Sequence, residues 1–161
     1  MKQGLGTQLR HLIELLDGAV AAAYEEEGID YRPRYTPVMR ALASGAPCTV
    51  GQIAATAGIT QPAATQTVAL MQKQGLVEVT ASKLDARQKQ VALSSQGRAL
   101  LPRLHRCWQA TGAAAASLDA DLAHPLSDTL AQAIAALEQR PFGARIRAAR
   151  AQLTTDDKEP A

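Results

Sequence analysis

The sequence predicts a mainly α-helical fold that carries one small β-hairpin. Two observations predict it. Apolar residues recur at helical spacing along most of the chain, and only between residues 75 and 93 does the pattern change to apolar alternation on either side of a polar loop. Aromatic residues are only 3% while alanine is abundant, a balance that favours helix. Hydrophobic residues at 47% against 20% charged ones give a chain that folds around a real core, and 161 residues suit a single domain.

The elements follow in order. Leu5, Leu9, Leu12, Leu16 and Val20 place one stripe on a helix over 5–23, widened by Ile13 and Leu15. Glu25-Glu26-Glu27-Gly28 is a charged exit with a glycine stop. Arg32-Pro33-Arg34-Tyr35-Thr36-Pro37 is a turn, in which Thr36 reads as N-cap and Pro37 as first position of a short helix to about Ser44. Thr49 caps a third helix, ended by Gly58. Thr60 caps a fourth, with Pro62 tolerated in its first turn, running to about Gln74. Two strands, Gly75–Thr80 and Gln90–Leu93, enclose the polar loop. Ser94 or Ser95 caps a long helix to about Ala116, with Leu100, Leu104, Cys107 and Trp108 on one face. Pro102 inside that run predicts a bend or a later start. A last helix spans about 121–140, with Leu122, Leu126, Leu130, Ile134 and Leu137 on one stripe and Pro125 in its first turn. Residues 143–150 add one basic turn, and 154–161 read as a disordered tail.

Two helices joined by the tight Ala57-Gly58-Ile59-Thr60 turn and followed by a two-stranded ribbon form a winged helix-turn-helix, here over residues 35–98. With Ala64, Val68 and Met71 on the buried side of the fourth helix, Pro62, Gln66, Ala69 and Lys73 point the opposite way and Thr65 lies on the flank. That small, polar surface suits a major groove about 12 Å wide, where Gln66 can pair with an adenine edge. Thr60, Gln61 and Thr65 stand near the helix start, where the positive dipole end favours phosphate. The loop between the strands holds Lys83, Asp85, Arg87 and Lys89. Arg87 is the candidate finger for a narrow minor groove, Asp85 its brace, and the two lysines phosphate contacts. Charge is distributed to match: residues 31–116 hold ten bases and two acids, while residues 1–30 hold two bases and six acids.

These residues resemble the MarR family of winged-helix transcriptional regulators. The resemblance rests on Thr49-Val50-Gly51-Gln52-Ile53-Ala54, Gly58-Ile59-Thr60, Ala63-Ala64-Thr65, Gly75-Leu76-Val77, Asp85-Ala86-Arg87 and Val91-Ala92-Leu93-Ser94-Ser95-Gln96-Gly97-Arg98, and covers roughly residues 35–100. The Asp-x-Arg loop followed by the Leu-Ser-x-x-Gly-Arg entry into the next helix is its specific part. Thr67, Gln74 and Ala86 depart from the family's usual aliphatic, Lys and Pro. The resemblance implies a homodimer built by the flanking helices, 5–26 and 99–150, that binds double-stranded DNA at a pseudo-palindromic site. The long amphipathic end helices, too large for the small central lobe to cover, point the same way. It further implies a small aromatic or anionic effector at the junction between dimer base and DNA-binding lobe. Arg32, Arg34, Tyr35 and Met39 would sit there, with His11, Tyr24 and Trp108 as neighbours.

Other classes are disfavoured. No Ser/His/Asp, Cys/His or paired-carboxylate set suggests an enzyme. His11, His105 and His124 have no ligand spacing, and no cofactor is expected. Ile59-Thr60-Gln61-Pro62-Ala63 also resembles ArsR-type metal sensors, but residues 49–57 lack their Cys, His or acidic ligands. Cys48 and Cys107 read as two reduced thiols. The absence of a signal peptide or a membrane-length apolar run places the protein in the cytoplasm, away from membranes. The alternative to a DNA-binding regulator is a winged-helix protein-interaction module, which the thin charge of the wing would suit.

Overall fold

The computed structural model describes residues 4–81 and 89–156. The described elements are α1 (Leu5–Glu26), a 3-10 turn (Pro33–Tyr35), α2 (Thr36–Leu42), β1 (Cys48–Thr49), α3 (Val50–Ala57), α4 (Gln61–Lys73), β2 (Val77–Ala81), β3 (Lys89–Leu93), α5 (Ser95–Asp121), α6 (Leu126–Gln139) and α7 (Phe142–Asp156). The chain divides into two compact units, Met1–Thr111 and Gly112–Ala161, so the lobe expected at 35–98 lies within the first together with α1.

The first unit holds the core. Val38, Met39 and Leu42 of α2, Ile53 of α3, Ala64 and Met71 of α4, Leu76, Val91 and Leu104 are all buried in one cluster. The sheet is antiparallel in the order β1-β3-β2. Val77 pairs with Leu93 and Ala81 with Lys89. β1 is an element that residue patterning missed. It pairs Cys48 with Val91 and ties the entry of α3 to the ribbon.

One joint explains the Leu93–Arg98 sequence. Gly75 ends α4 at φ 72°, a conformation that glycine adopts without Cβ strain. The Leu76 N–H then donates to the Met71 carbonyl at 2.9 Å. The Ser94 hydroxyl donates to the Gly75 carbonyl at 2.5 Å and accepts from the Gly97 N–H at 3.0 Å, so one side chain caps α5 and clamps the strand entry. Arg98 donates to the Leu93 carbonyl. A Cβ on Gly97 would stand 2.2 Å from the Leu76 carbonyl oxygen, which is why the position is glycine.

Several expectations are corrected. Tyr35, not Thr36, is the N-cap residue of α2, and the Thr36 hydroxyl is instead recruited by Tyr24 and Tyr31. α5 begins at Ser95 with Pro102 inside it, so the late start does not occur, and the helix continues to Asp121. Pro125 is therefore the N-cap of α6 rather than a residue of its first turn, and Leu122 precedes that helix. A proline offers no capping side chain, and Asp119 supplies one from the previous helix. Its carboxylate accepts from the Ser127 N–H at 3.1 Å and from the Ser127 hydroxyl. The single basic turn expected at 143–150 is a helix of 15 residues reaching Asp156, so residues 154–156 are helical rather than disordered. Arg145 donates to the Ala136 and Arg140 carbonyls, which joins α7 to the end of α6.

Two tests follow. Gly97→Ala forces a methyl onto a backbone carbonyl and should cost about 1–3 kcal/mol in chemical denaturation. At Gly58, φ is 65° with open space around the missing Cβ, so Gly58→Asn, which tolerates that conformation, should cost clearly less. The second test concerns pH. The Ser127 hydroxyl, then the Ser127 N–H, hold the Asp119 carboxyl below its ordinary value of 3.8. A depressed folded-state value means that the cap contributes fully above that ordinary value and is lost as pH falls through the lower folded one. Amide exchange in the first turn of α6 should therefore accelerate on acidification below the ordinary value, and Asp119→Asn should remove most of that dependence.

Candidate nucleic-acid interface

The helix-turn-helix is built from local chemistry. Thr49 and Gln52 form a reciprocal capping box at the start of α3, with the Gln52 N–H donating to the Thr49 hydroxyl at 3.2 Å and the Thr49 N–H to the Gln52 side chain at 2.8 Å. At the other end Gly58 turns left-handed, and the Ile59 N–H donates to the Ala54 carbonyl at 3.1 Å. Thr60 then caps α4 by accepting from the Ala63 N–H at 3.4 Å. The expected buried side of α4 is present: Ala64, Val68 and Met71 are in the core, and Thr67 is buried with them.

Gln61, Pro62, Ala63, Thr65, Gln66, Ala69, Gln72 and Lys73 are exposed on the rest of that helix. The expected contact residues on α4 therefore lie along one solvent-facing surface. Their hydrogen-bonding roles differ. The Thr60 oxygen accepts from the helix backbone, which leaves its O–H able to donate to a phosphate. The Thr65 O–H already donates to the Gln61 carbonyl at 2.9 Å, so Thr65 would have to exchange that bond for a phosphate contact. Pro62 has no N–H, so the helix start presents the Gln61 N–H but not a full set of backbone donors. Residues 31–77 contain no acid, so nothing in this segment opposes a phosphate backbone.

Lys89 is exposed at the first residue of β3. The candidate loop residues Lys83, Asp85 and Arg87 lie outside the described residues.

The expected effector residues do not converge. Tyr35 and Met39 are core residues, 1% and 0% exposed, and present no surface to a ligand. Arg32 is exposed just before the 3-10 turn and Arg34 within it, and His11 is exposed on α1, 4.0 Å from Glu14. Trp108 alone borders a depression, which it lines with Arg40, His105 and Gln109. Those three were missed, although the spacing of His105, Trp108 and Gln109 puts them on one helix face. The Arg40 guanidinium lies 4.8 Å from the Trp108 ring centre, a cation–π contact worth about 0.5–1 kcal/mol at an exposed site. The His105 ring is tilted against the same indole at 5.2 Å.

Beneath the depression lies a polar thread in an apolar core. Trp108 Nε1 donates to the Tyr24 hydroxyl at 3.2 Å, and Tyr24 lies 3.4 Å from the Thr36 hydroxyl. The Tyr31 hydroxyl donates to Thr36 at 3.5 Å, and burial pushes the Tyr31 phenol well above its ordinary value, against the lowering effect of the Thr36 contact. Arg103 of α5 donates to the Glu27 carbonyl at the end of α1.

This geometry defines a winged helix-turn-helix: a recognition-type helix with one face buried and the other polar and exposed, next to an antiparallel ribbon. Residues 29–88 match the model of the MarR family. Solved structures share the fold. The M. tuberculosis transcriptional regulator MOSR in complex with DNA is 23% identical, with 89% of this chain and 99% of that one covered at a TM-score of 0.65. The S. aureus MepR–DNA complex is 13% identical, with 86% and 98% covered at 0.64. CouR from Rhodococcus jostii RHA1 bound to p-coumaroyl-CoA is 24% identical, with 68% and 76% covered at 0.51. No curated protein matches the sequence.

Thr60→Ala removes a cap and should cost roughly 1 kcal/mol of stability, as read by thermal unfolding. Thr60→Ser should retain the cap and most of the stability.

Proposed function

We propose that the protein is a DNA-binding transcriptional regulator, acting as a homodimeric repressor on a pseudo-palindromic operator and released by a small aromatic anion. The observation that carries the DNA reading is the exposed face of α4, which is polar, uncharged until Lys73, and bears the amides of Gln61, Gln66 and Gln72. Amides pair bidentately with adenine edges, whereas the charge-dependent part of binding would fall to Lys73, Lys89 and the loop residues Lys83 and Arg87. Asp85 would hold Arg87 ready. That MOSR and MepR have been solved on DNA supports this use of the fold.

Apolar surface supports the homodimer. Leu5, Leu9, Ile13 and Leu16 of α1, Leu130, Ile134 and Leu137 of α6, and Phe142 and Ile146 of α7 are all exposed. A soluble chain rarely leaves so many large apolar side chains in water. A second copy covering them would set two recognition helices about 34 Å apart, one helical turn of DNA. The effector site would be the Arg40–His105–Trp108–Gln109 depression, which offers a cation, two aromatic faces and an amide to an aromatic carboxylate. CouR, solved with p-coumaroyl-CoA, supports a ligand on this fold. Among the described residues no helix is long and apolar enough to cross a membrane. A regulator of this kind would work in the cytoplasm, not as an enzyme and without a cofactor.

The test is selection from random duplexes with wild type, Gln66→Ala and Arg87→Ala at two salt concentrations. Wild type should enrich a palindrome, with affinity falling steeply as salt rises. Arg87→Ala should weaken binding to all sequences, while Gln66→Ala should relax one base position by roughly 5–150-fold. No enrichment by folded, dimeric protein at low salt would favour a protein-interaction module instead, a reading that the single charge on α3 and α4 suits.

A further inference from the structure

We propose that the Tyr24 hydroxyl is the positioning group through which occupancy of the Arg40–Trp108 depression reaches the recognition helix. The inference rests on the reading that a ligand there governs DNA affinity. Trp108 has one face against Arg40 and its nitrogen turned inward, so a single rigid ring spans from the depression to the core. An indole N–H can only donate. The Tyr24 oxygen must therefore accept, and the same hydroxyl lies 3.4 Å from that of Thr36, a contact in which either group can donate. Thr36 also takes the Tyr31 O–H at 3.5 Å.

The order of elements gives this thread its reach. Trp108 lies on α5, Tyr24 near the end of α1, and Thr36 is the first residue of α2. Behind Thr36, Val38, Met39 and Leu42 are buried, and α2 packs directly on α3 and α4. At 3.4 and 3.5 Å the contacts at Thr36 are longer than the usual O–H···O range of about 2.5–3.0 Å, so a small movement of the indole decides whether they close into full hydrogen bonds or part. The rings around them stand edge-on, Tyr24 to Tyr31 at 5.0 Å and Tyr31 to Tyr35 at 5.7 Å, and as rigid plates they pass a displacement on. A carboxylate that draws Arg40 off the indole, with its aromatic ring in the vacated place, supplies that displacement.

The experiment compares wild type with Tyr24→Phe, which keeps the ring and removes only the hydroxyl. Benzoate, phenylacetate and indole-3-carboxylate serve as probes. Their binding is read from the emission of Trp108, the one tryptophan in the chain. DNA affinity for the selected duplex is measured with and without saturating probe. In wild type the probe should weaken DNA binding about tenfold. Tyr24→Phe should bind probe and, without probe, DNA within about threefold of wild type, yet lose nearly all of that weakening. A merely structural tyrosine would change the melting temperature and leave the coupling ratio intact, and that result overturns the proposal. If Tyr24→Phe does not fold, Thr36→Val cuts the next link, and retained coupling in it overturns the proposal equally. No response of Trp108 in wild type to any probe sinks the ligand-site reading and the relay with it. A wild-type response without any change in DNA affinity sinks the relay while leaving a ligand site.

Discussion

The burial of one side of α4 is the constraint on which the lobe depends. Ala64, Thr67, Val68 and Met71 face the core, and the turn of the helix then fixes which residues meet water. A rotation by one residue would carry the Gln61 or Gln72 amide toward an apolar interior, where an unpaired polar group costs about 1–3 kcal/mol. The register of the exposed face is therefore held by what it is not allowed to bury. Gly58 and Thr60 set where the helix starts, and the Gly75, Ser94 and Gly97 joint sets where it stops and how the ribbon lies beside it.

The two units differ in how complete they are. In the first, apolar residues of α2, α3, α4 and the sheet cover one another, and the polar thread from Trp108 to Thr36 has partners at each step. In the second, α6 has no buried residue and α7 leaves Phe142 and Ile146 open. Local hydrogen bonds from Asp119 and Arg145 shape that unit without giving it a core. On the proposed reading a second copy provides the missing cover, and α1 contributes its own open stripe to the same purpose.

How much of this was legible in the sequence depended on whether the determining partner was local. Gly58, Thr60 and Gly75 punctuate the chain strongly, and the helix-turn-helix and ribbon were readable from them. The buried side of α4 was readable because thirteen residues sample the helical period several times. β1 was not, because two residues show no alternation, and its existence rests on pairing with Val91 and Gln90 far along the chain. Thr36 looked like a cap, but its hydroxyl is claimed by tyrosines from outside the helix. The start of α6 was misplaced for the same reason, since its cap comes from Asp119 and not from the residue at the helix start. Tyr35 and Met39 were expected to line a ligand site, yet a three-residue 3-10 turn and a seven-residue helix are too short for their pattern to assign faces. Arg40 and His105 were missed because folding alone brings α2 and α5 to one depression.

The central claim is that two copies present α4 to successive major grooves. Hydroxyl-radical and methylation footprinting on the selected duplex tests it most directly. The account predicts two patches of major-groove protection about 10 base pairs apart, related by the symmetry of the site, with the minor groove protected beside each. A single patch, or uniform weak protection without groove preference from folded protein, would contradict it.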